Sequence, residues 1–303
     1  MKSSEFSYYI PKFDEYNQVQ SLVVPHLDTD CNLVIALATA TGKTVLAEAA
    51  FAYHLLSDYS CRVAYISPFK SIGEEKVSEW SREPQLCKYG IGVMSSDRSD
   101  ERESAMSSRL VVSTLESFDS VTRSISNDEW LRTFSIMVFD EAHILGNPVR
   151  GAAMESLIMR ISCINPKCRF MLLSGTMGNA REIAVWLKSL NGKSTKVIKS
   201  SWRPFPVKVI YHEVSAYRSK ISKAISIVEE IVSGGEKVIV FVHSKDTGKE
   251  ICKILLKKKI RCAFHNSSCS VKNRKLIEDS FSASKFNVLI STSTLGAGVN
   301  LHD

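Results

Sequence analysis

Asn32-Leu33-Val34-Ile35-Ala36-Leu37-Ala38-Thr39-Ala40-Thr41-Gly42-Lys43-Thr44-Val45-Leu46-Ala47-Glu48 is the stretch on which the reading of this chain turns. Leu33 to Ala38 is apolar at every position, which suits a buried strand of a parallel sheet rather than an amphipathic helix. Small and hydroxyl residues follow at Thr39, Ala40 and Thr41, then Gly42-Lys43-Thr44, then a helical pattern from Val45 to Leu56. In a strand, loop and helix of this kind the backbone N–H groups of residues 39–42 sit at the positive end of the helix and cradle anionic oxygens. Lys43 adds a mobile charge for the β and γ phosphates, and the Thr44 hydroxyl can ligate Mg²⁺. The usual phosphate-loop pattern wants Gly five positions before Gly42, where this chain has Leu37, and Gly-Lys-Thr taken alone also suits a surface turn. The rest of the chain has to decide between the two.

With 303 residues, 44% of them hydrophobic, the chain is expected to form two domains, each with its own core. No apolar run approaches the ~20 residues of a membrane span, and Met1 to Pro11 has neither the apolar segment nor the cleavage site of a signal peptide. An intracellular protein of cytoplasm or nucleus with no membrane partner is therefore expected. The eight cysteines form no Cys-x-x-Cys pair, the nearest spacings being Cys163 with Cys168 and Cys262 with Cys269, so buried free thiols are expected. Charge divides unevenly: residues 1–200 hold 22 Lys+Arg against 23 Asp+Glu, whereas residues 201–303 hold 17 against 9. A basic second half fits a polyanionic partner, although a run such as Lys253 to Lys259 also suits a solvated helix face.

Taken in order, residues 17–22 predict a helix, on which Gln20 stands shortly before the phosphate strand, where its amide could read an adenine edge. Arg62 to Ser67 predicts a strand that Pro68 ends, before a helix over 71–80. Gly90 to Met94 and Leu110 to Ser113 are further strands, the second opening a helix through Thr114. Ser135 to Asp140 is the clearest central strand, and its tip carries Asp140-Glu141-Ala142-His143. A carboxylate at that tip can hold Mg²⁺ and its neighbour can orient and deprotonate the attacking water. Arg169 to Ser174 is another buried strand, whose Ser174 and Thr176 would sit near His143 and sense the γ phosphate. A helix is predicted over 181–190, and Lys199 to Pro206 reads as a stiff linker. The pattern then restarts: strands over 208–213, 237–243, 261–264 and 287–292 alternate with helices over 217–232, 247–258 and 271–281. The hydroxyl-rich turn Thr292 to Asn300, with Gly296 and Gly298, suits close approach to phosphates.

These residues together resemble the superfamily-two DExH-box helicases over nearly the whole chain. The phosphate loop matches motif I, Ser67-Pro68-Phe69-Lys70 motif Ia, Thr114-Leu115-Glu116 motif Ib, and Asp140-Glu141-Ala142-His143 motif II. Ser174-Gly175-Thr176 takes the place of motif III, with Gly175 where most members have Ala; Phe241-Val242-His243-Ser244 is similar to motif IV and Thr292 to Asn300 to motif V. Ile144-Leu145, Arg150-Gly151, Glu155, Trp186-Leu187, Arg203-Pro204 and Phe264-His265 before Arg274 are similar to the Ski-like group, and Thr114-x-Glu116-x-x-Asp119 leans towards its DNA-fork repair members.

The resemblance implies two tandem RecA-like P-loop NTPase domains with parallel sheets, the second incomplete: an ATP-binding lobe over 1–200, a linker over 201–206 and a C-terminal lobe over 207–303. It implies ATP and Mg²⁺ as cofactors, Lys43, Asp140, Glu141 and His143 as catalytic residues, Thr44 and Asp140 as metal ligands, and Gln20, residues 39–44, Thr292 and Gly298 around the nucleotide. Pro68, Lys70, Thr114, Glu116, His243, Ser244 and Thr294 would grip single-stranded nucleic acid, DNA rather than RNA, with Ser174 and Thr176 as coupling residues. The expected activity is ATP-driven movement 3′ to 5′ along that strand. The arginine-rich motif VI of relatives is not in the sequence, so full activity is not expected of this chain by itself. Two other readings remain: a nucleic-acid-binding or ATP-sensing piece that does not turn over, and a translocase subunit of a restriction or CRISPR system.

Overall fold

The structure, a computed structural model, describes residues 15–95 and 99–295. The chain divides into two compact units, Met1–Pro206 and Val207–Asp303. Among the described residues no helix is long and apolar enough to cross a membrane.

The first unit is built on seven strands: β1 (Asn32–Leu37), β2 (Arg62–Ser67), β3 (Ile91–Met94), β4 (Leu110–Thr114), β5 (Phe134–Phe139), β6 (Arg169–Ser174) and β7 (Thr195–Ser200). They lie in the order β3-β4-β2-β5-β6-β1-β7, every pairing parallel. β1 is buried at all six positions because both faces of the sheet are covered. Leu33, Ile35 and Leu37 join one core with Leu46, Phe51 and Leu55 of the helix Lys43–Ser57, whereas Val34 and Ala36 join the other. That second core is closed by the helices Leu115–Thr122, Arg150–Ile164 and Ala180–Asn191. The central strands must therefore be largely apolar, and parallel connections must cross over through a helix.

Strand β7 falls where the sequence pattern suggests only chain leading into a linker. Lys196 and Lys199 point to solvent from it, the usual protection of a sheet edge. Its register is fixed by Asn32, whose amide nitrogen donates to Asn191 Oδ1 at 3.0 Å and Thr195 Oγ1 at 3.3 Å while its oxygen accepts from Phe170 N–H at 3.0 Å. One buried amide thus ties the starts of β6, β1 and β7 together.

In the second unit β8 (Val238–Phe241), β9 (Cys262–His265) and β10 (Val288–Ser291) form a parallel sheet in the order β8-β10-β9, with helices Tyr217–Ser233, Lys245–Lys257 and Val271–Ser282. Both units are RecA-like α/β structures, the second with the smaller sheet. Residues 208–213 are not a strand, contrary to expectation: among the described residues no strand pairs with them, and Val209, Ile210 and Tyr211 are exposed. A strand is made by its partner, which local pattern does not report.

At the lower end of the first sheet, Arg169 is buried without a carboxylate. Its guanidinium donates to the carbonyls of Cys31 at 2.9 Å, Leu27 at 2.8 Å and His26 at 3.1 Å, and to His54 Nε2 at 3.1 Å. Burial first, then the Arg169 and Lys193 charges, push the His54 imidazole down to about 3 from an ordinary 6.5. Between those two values the unfolded chain takes a proton that the folded chain refuses. Stability is therefore fully present above about pH 6.5 and falls as pH drops through the window, by up to about 1.4 kcal/mol per unit. Urea unfolding at pH 7 and pH 5 is expected to show a larger loss for wild type than for His54→Gln; equal losses would contradict this.

Candidate functional site

The loop after β1 turns back on itself through two left-handed residues, Ala40 at φ 62° and Gly42 at φ 78°. Such backbone gathers N–H groups into an anion-binding concavity, here opening the helix Lys43–Ser57. Leu37 explains the missing glycine, because it is the last residue of β1 and lies in the core. Ala40, a residue type that adopts φ > 0 only at a cost, makes the turn instead. Thr41 is buried between them, its hydroxyl donating to Ala38 O at 2.7 Å. Lys43 Nζ folds over the loop and donates to Leu37 O at 3.0 Å and Ala38 O at 3.1 Å.

Beneath the loop, Gln20 is 5% exposed, with its amide oxygen accepting from Asn17 N–H at 3.0 Å and its nitrogen donating to Gly42 O at 3.2 Å. Asn17 donates to Thr41 O at 2.9 Å and accepts from the N–H groups of Val19 and Gln20 at 3.1 and 2.9 Å. Gln20 and Asn17 therefore brace the loop, and the helix runs over Gln20–Val23 rather than from Asn17, whose Oδ1 takes up the N–H groups of Val19 and Gln20.

Strand β5 delivers Asp140 and Glu141 to the same edge of the sheet. Asp140 N–H donates to Ile66 O at 3.0 Å, which holds the tip against β2. Its Oδ1 accepts from Glu141 N–H at 2.9 Å and its Oδ2 from Tyr65 Oη at 2.5 Å. Glu141 sits at φ 50°, ψ 43°, so the chain swings sharply at the second carboxylate, which lies 3.1 Å from His143 Nδ1. Burial and then the Asp140 charge raise the Glu141 pKa, while His143 and Lys43 pull against that rise. Burial lowers that of Lys43, opposed by the fields of Glu141 and Asp140. The lysine of one loop and the carboxylates of the other thus lie in each other's field. Strand β6 separates β1 from β5, so the two tips stand about 10 Å apart, twice the ~4.8 Å strand spacing.

The tip of β6 fills the position between. A Cβ on Gly175 would meet Thr39 Oγ1 at 3.6 Å, an ordinary contact, so Ala would fit there and Gly is not required. Thr176 and His143 line one cavity of about 370 Å³ with Glu155, Glu182 and Trp186. Ser174 is instead buried, its hydroxyl donating to Thr176 O at 2.8 Å.

A second cavity on this unit, of about 450 Å³, is lined by Pro68, Phe69, Lys70, Thr114, Glu116 and Arg150. Four residues expected from scattered strand tips to touch nucleic acid are brought together there. Arg150 was not expected among them. It donates to Glu116 Oε1 at 3.0 Å and to Pro68 O, and stacks 5.1 Å from the Phe69 ring centroid. Its only sequence signal is its place beside Gly151. Thr114 caps the following helix, accepting from Ser117 N–H at 3.3 Å.

In the second unit Thr294 lies against the buried His265, Oγ1 to Nδ1 2.9 Å, and His265 Nε2 is 2.8 Å from Glu278 Oε1. Thr292 N–H donates to His265 O at 3.2 Å. His243 and Ser244 are exposed, the latter capping its helix by accepting from Thr247 N–H at 3.1 Å. Gly298 lies outside the described residues.

With this geometry established, residues 17–183 match the family described as DEAD/DEAH box helicase, and residues 219–303 match the helicase conserved C-terminal domain. The chain belongs to the DEAD/DEAH box helicases. Similar relatives bear out the resemblance to the Ski-like group. The ATP-dependent DNA helicase Hel308 of Pyrobaculum calidifontis is 30% identical over 89% of this chain and 43% of its own length. The ATP-dependent DNA helicase MER3 of Saccharomyces cerevisiae is 29% identical over 96% of this chain and 28% of its own. The chain thus spans less than half the length of either. The crystal structure of the DUF1998 helicase MrfA bound to DNA and AMPPNP shares the fold, with a TM-score of 0.78 over 96% of this chain and 44% of that one, at 19% identity.

In this loop the left-handed Ala40 carries strain that a glycine would not. Ala40→Gly is expected to stabilise the fold by about 0.5–1 kcal/mol, the left-handed penalty less the added unfolded-chain entropy. Chemical denaturation checks this, and a destabilised variant would contradict it.

Proposed function

We propose that this chain carries the motor of a DNA helicase, coupling hydrolysis of magnesium-bound ATP to 3′ to 5′ movement along single-stranded DNA. The observation that carries the reading is the facing of Lys43 by Asp140 and Glu141 across the tip of β6. The Hel308 and MER3 relatives support the choice of DNA.

Triphosphate enters the N–H concavity of residues 39–44, and the Lys43 ammonium leaves its two carbonyl partners for phosphate oxygens. Thr44 and Asp140 are hard oxygen donors that suit magnesium. Among the described residues no three His, Cys, Asp or Glu side chains cluster as a metal cage. That fits an ion held by one or two protein oxygens and the phosphates. Once bound, the ion supplies neutralisation of charge building on the β and γ phosphates. Glu141, with its raised pKa, accepts the proton of the attacking water, and His143 Nδ1 fixes its far oxygen. Gln20 keeps one amide N–H beyond that given to Gly42, the donor with which it would read the adenine edge. Thr176 and Ser174 link the nucleotide edge to the rest of the unit, and Thr292 and Gly298 are phosphate-sensing positions of the second.

For the strand itself, Pro68, Lys70, Thr114 and Arg150 offer one set of phosphate contacts and His243, Ser244 and Thr294 another. Glu116 contributes by holding Arg150 in place. Grip through phosphates is nearly blind to sequence and weakens steeply with salt.

ATP turnover measured with poly-dT, with poly-U and without polymer tests this. The expected result is stimulation by poly-dT above poly-U, and a fall of about 10² to 10⁴-fold in Glu141→Gln. Turnover indifferent to Glu141, or none at all, would favour a binding module that does not hydrolyse ATP.

A further inference from the structure

We propose that Tyr65 is the positioning residue of the metal-binding carboxylate, locking Asp140 to the phosphate-loop helix through a buried aromatic chain. This rests on the reading of Asp140 as a magnesium ligand. Tyr65 lies on β2, paired in register with Val138 of β5, two residues before Asp140. Its hydroxyl reaches Asp140 Oδ2 at 2.5 Å while Glu141 N–H holds Oδ1 at 2.9 Å. Each carboxylate oxygen therefore has one fixed donor, which sets the plane of the group and leaves a lone pair on each for a cation.

The phenol is itself held from behind. It is fully buried, and its ring meets Trp80 edge-on with centroids 5.1 Å apart and Phe51 at 6.4 Å. Trp80 and Phe51 meet edge-on at 5.7 Å, so the three rings fix one another. The indole N–H of Trp80 donates to Glu48 Oε1 at 2.7 Å, and Glu48 is 2% exposed. Glu48 stands one helical turn after Thr44, on the same face of the helix Lys43–Ser57. The helix that carries Thr44 and the tip of β5 that carries Asp140 are thus joined through the buried Glu48, Trp80 and Tyr65.

If Tyr65 served only packing, its hydroxyl would affect stability and nothing else. Tyr65→Phe keeps the ring and removes the donor. Binding of a fluorescent ADP analogue is measured by anisotropy, first in EDTA and then across a magnesium titration, with thermal melting in parallel. The expected result is unchanged affinity in EDTA and a magnesium midpoint raised about tenfold, the scale on which partners of metal ligands act. A midpoint equal to that of wild type, whatever the melting temperature, overturns the proposal. Wild type whose affinity does not depend on magnesium overturns the metal-site reading and the proposal with it. Should Tyr65→Phe not fold, Trp80→Phe cuts the same chain one link earlier and is read by the same midpoint.

Discussion

Everything distinctive in the first unit depends on β6 lying between β1 and β5. Parallel strands end at a common edge, so this order places the phosphate loop, the Ser174-Gly175-Thr176 turn and the Asp140-Glu141 tip side by side. The two flanking tips are separated by two strand spacings, about 10 Å. That spacing leaves room for a phosphate with its cation between the side chains. Lys43 is left on carbonyl oxygens, and burial with the Asp140 charge keeps the Glu141 pKa raised against the pull of His143 and Lys43. Both are groups ready to exchange their present partners for a ligand's.

The cost of this arrangement is concentrated in the backbone. Ala40 and Glu141, one on each loop, are non-glycine residues held at positive φ. Two side-chain amides over-determine the first: the half-buried Asn17 and the buried Gln20 grip the carbonyls of Thr41 and Gly42. The second is pinned by Asp140 Oδ1 on its own N–H and by His143 on its carboxylate. Backbone strain is kept only where surroundings enforce it, and here it is kept at the residues that would meet phosphate and water.

Much of this was legible in the sequence because a strand covered on both faces must be apolar at every position. The boundaries of β2 and β6 can be read directly, and the carboxyl-edge residues after them follow. What local pattern missed was what depends on a distant partner. Edge strand β7 carries Lys196 and Lys199, and its last two residues read as the start of a linker, until Asn32 binds Thr195. Residues 208–213 look like a strand and, among the described residues, have no strand beside them. The sequence pattern predicts no helix over Arg150–Ile164 and so no role for Arg150, whose place in the groove is set by Glu116 and Phe69 from other elements. Tyr65 is one apolar letter in a buried strand, and only the pairing of β2 with β5 gives its hydroxyl a carboxylate. Gln20 reads from the sequence as an amide placed for an adenine edge, but its bonds to Gly42 and Asn17 are visible only once the loop has its shape.

The central claim is that the lysine loop and the acidic tip share one nucleotide-bound ion. Iron(II) substituted for magnesium in the presence of ADP, with ascorbate and peroxide added, cuts backbone close to wherever the ion sits. The account predicts two cuts that appear together and only with nucleotide, one within residues 42–45 and one within residues 139–142. Cutting at one of these places without the other, or cutting that ignores the nucleotide, would contradict it.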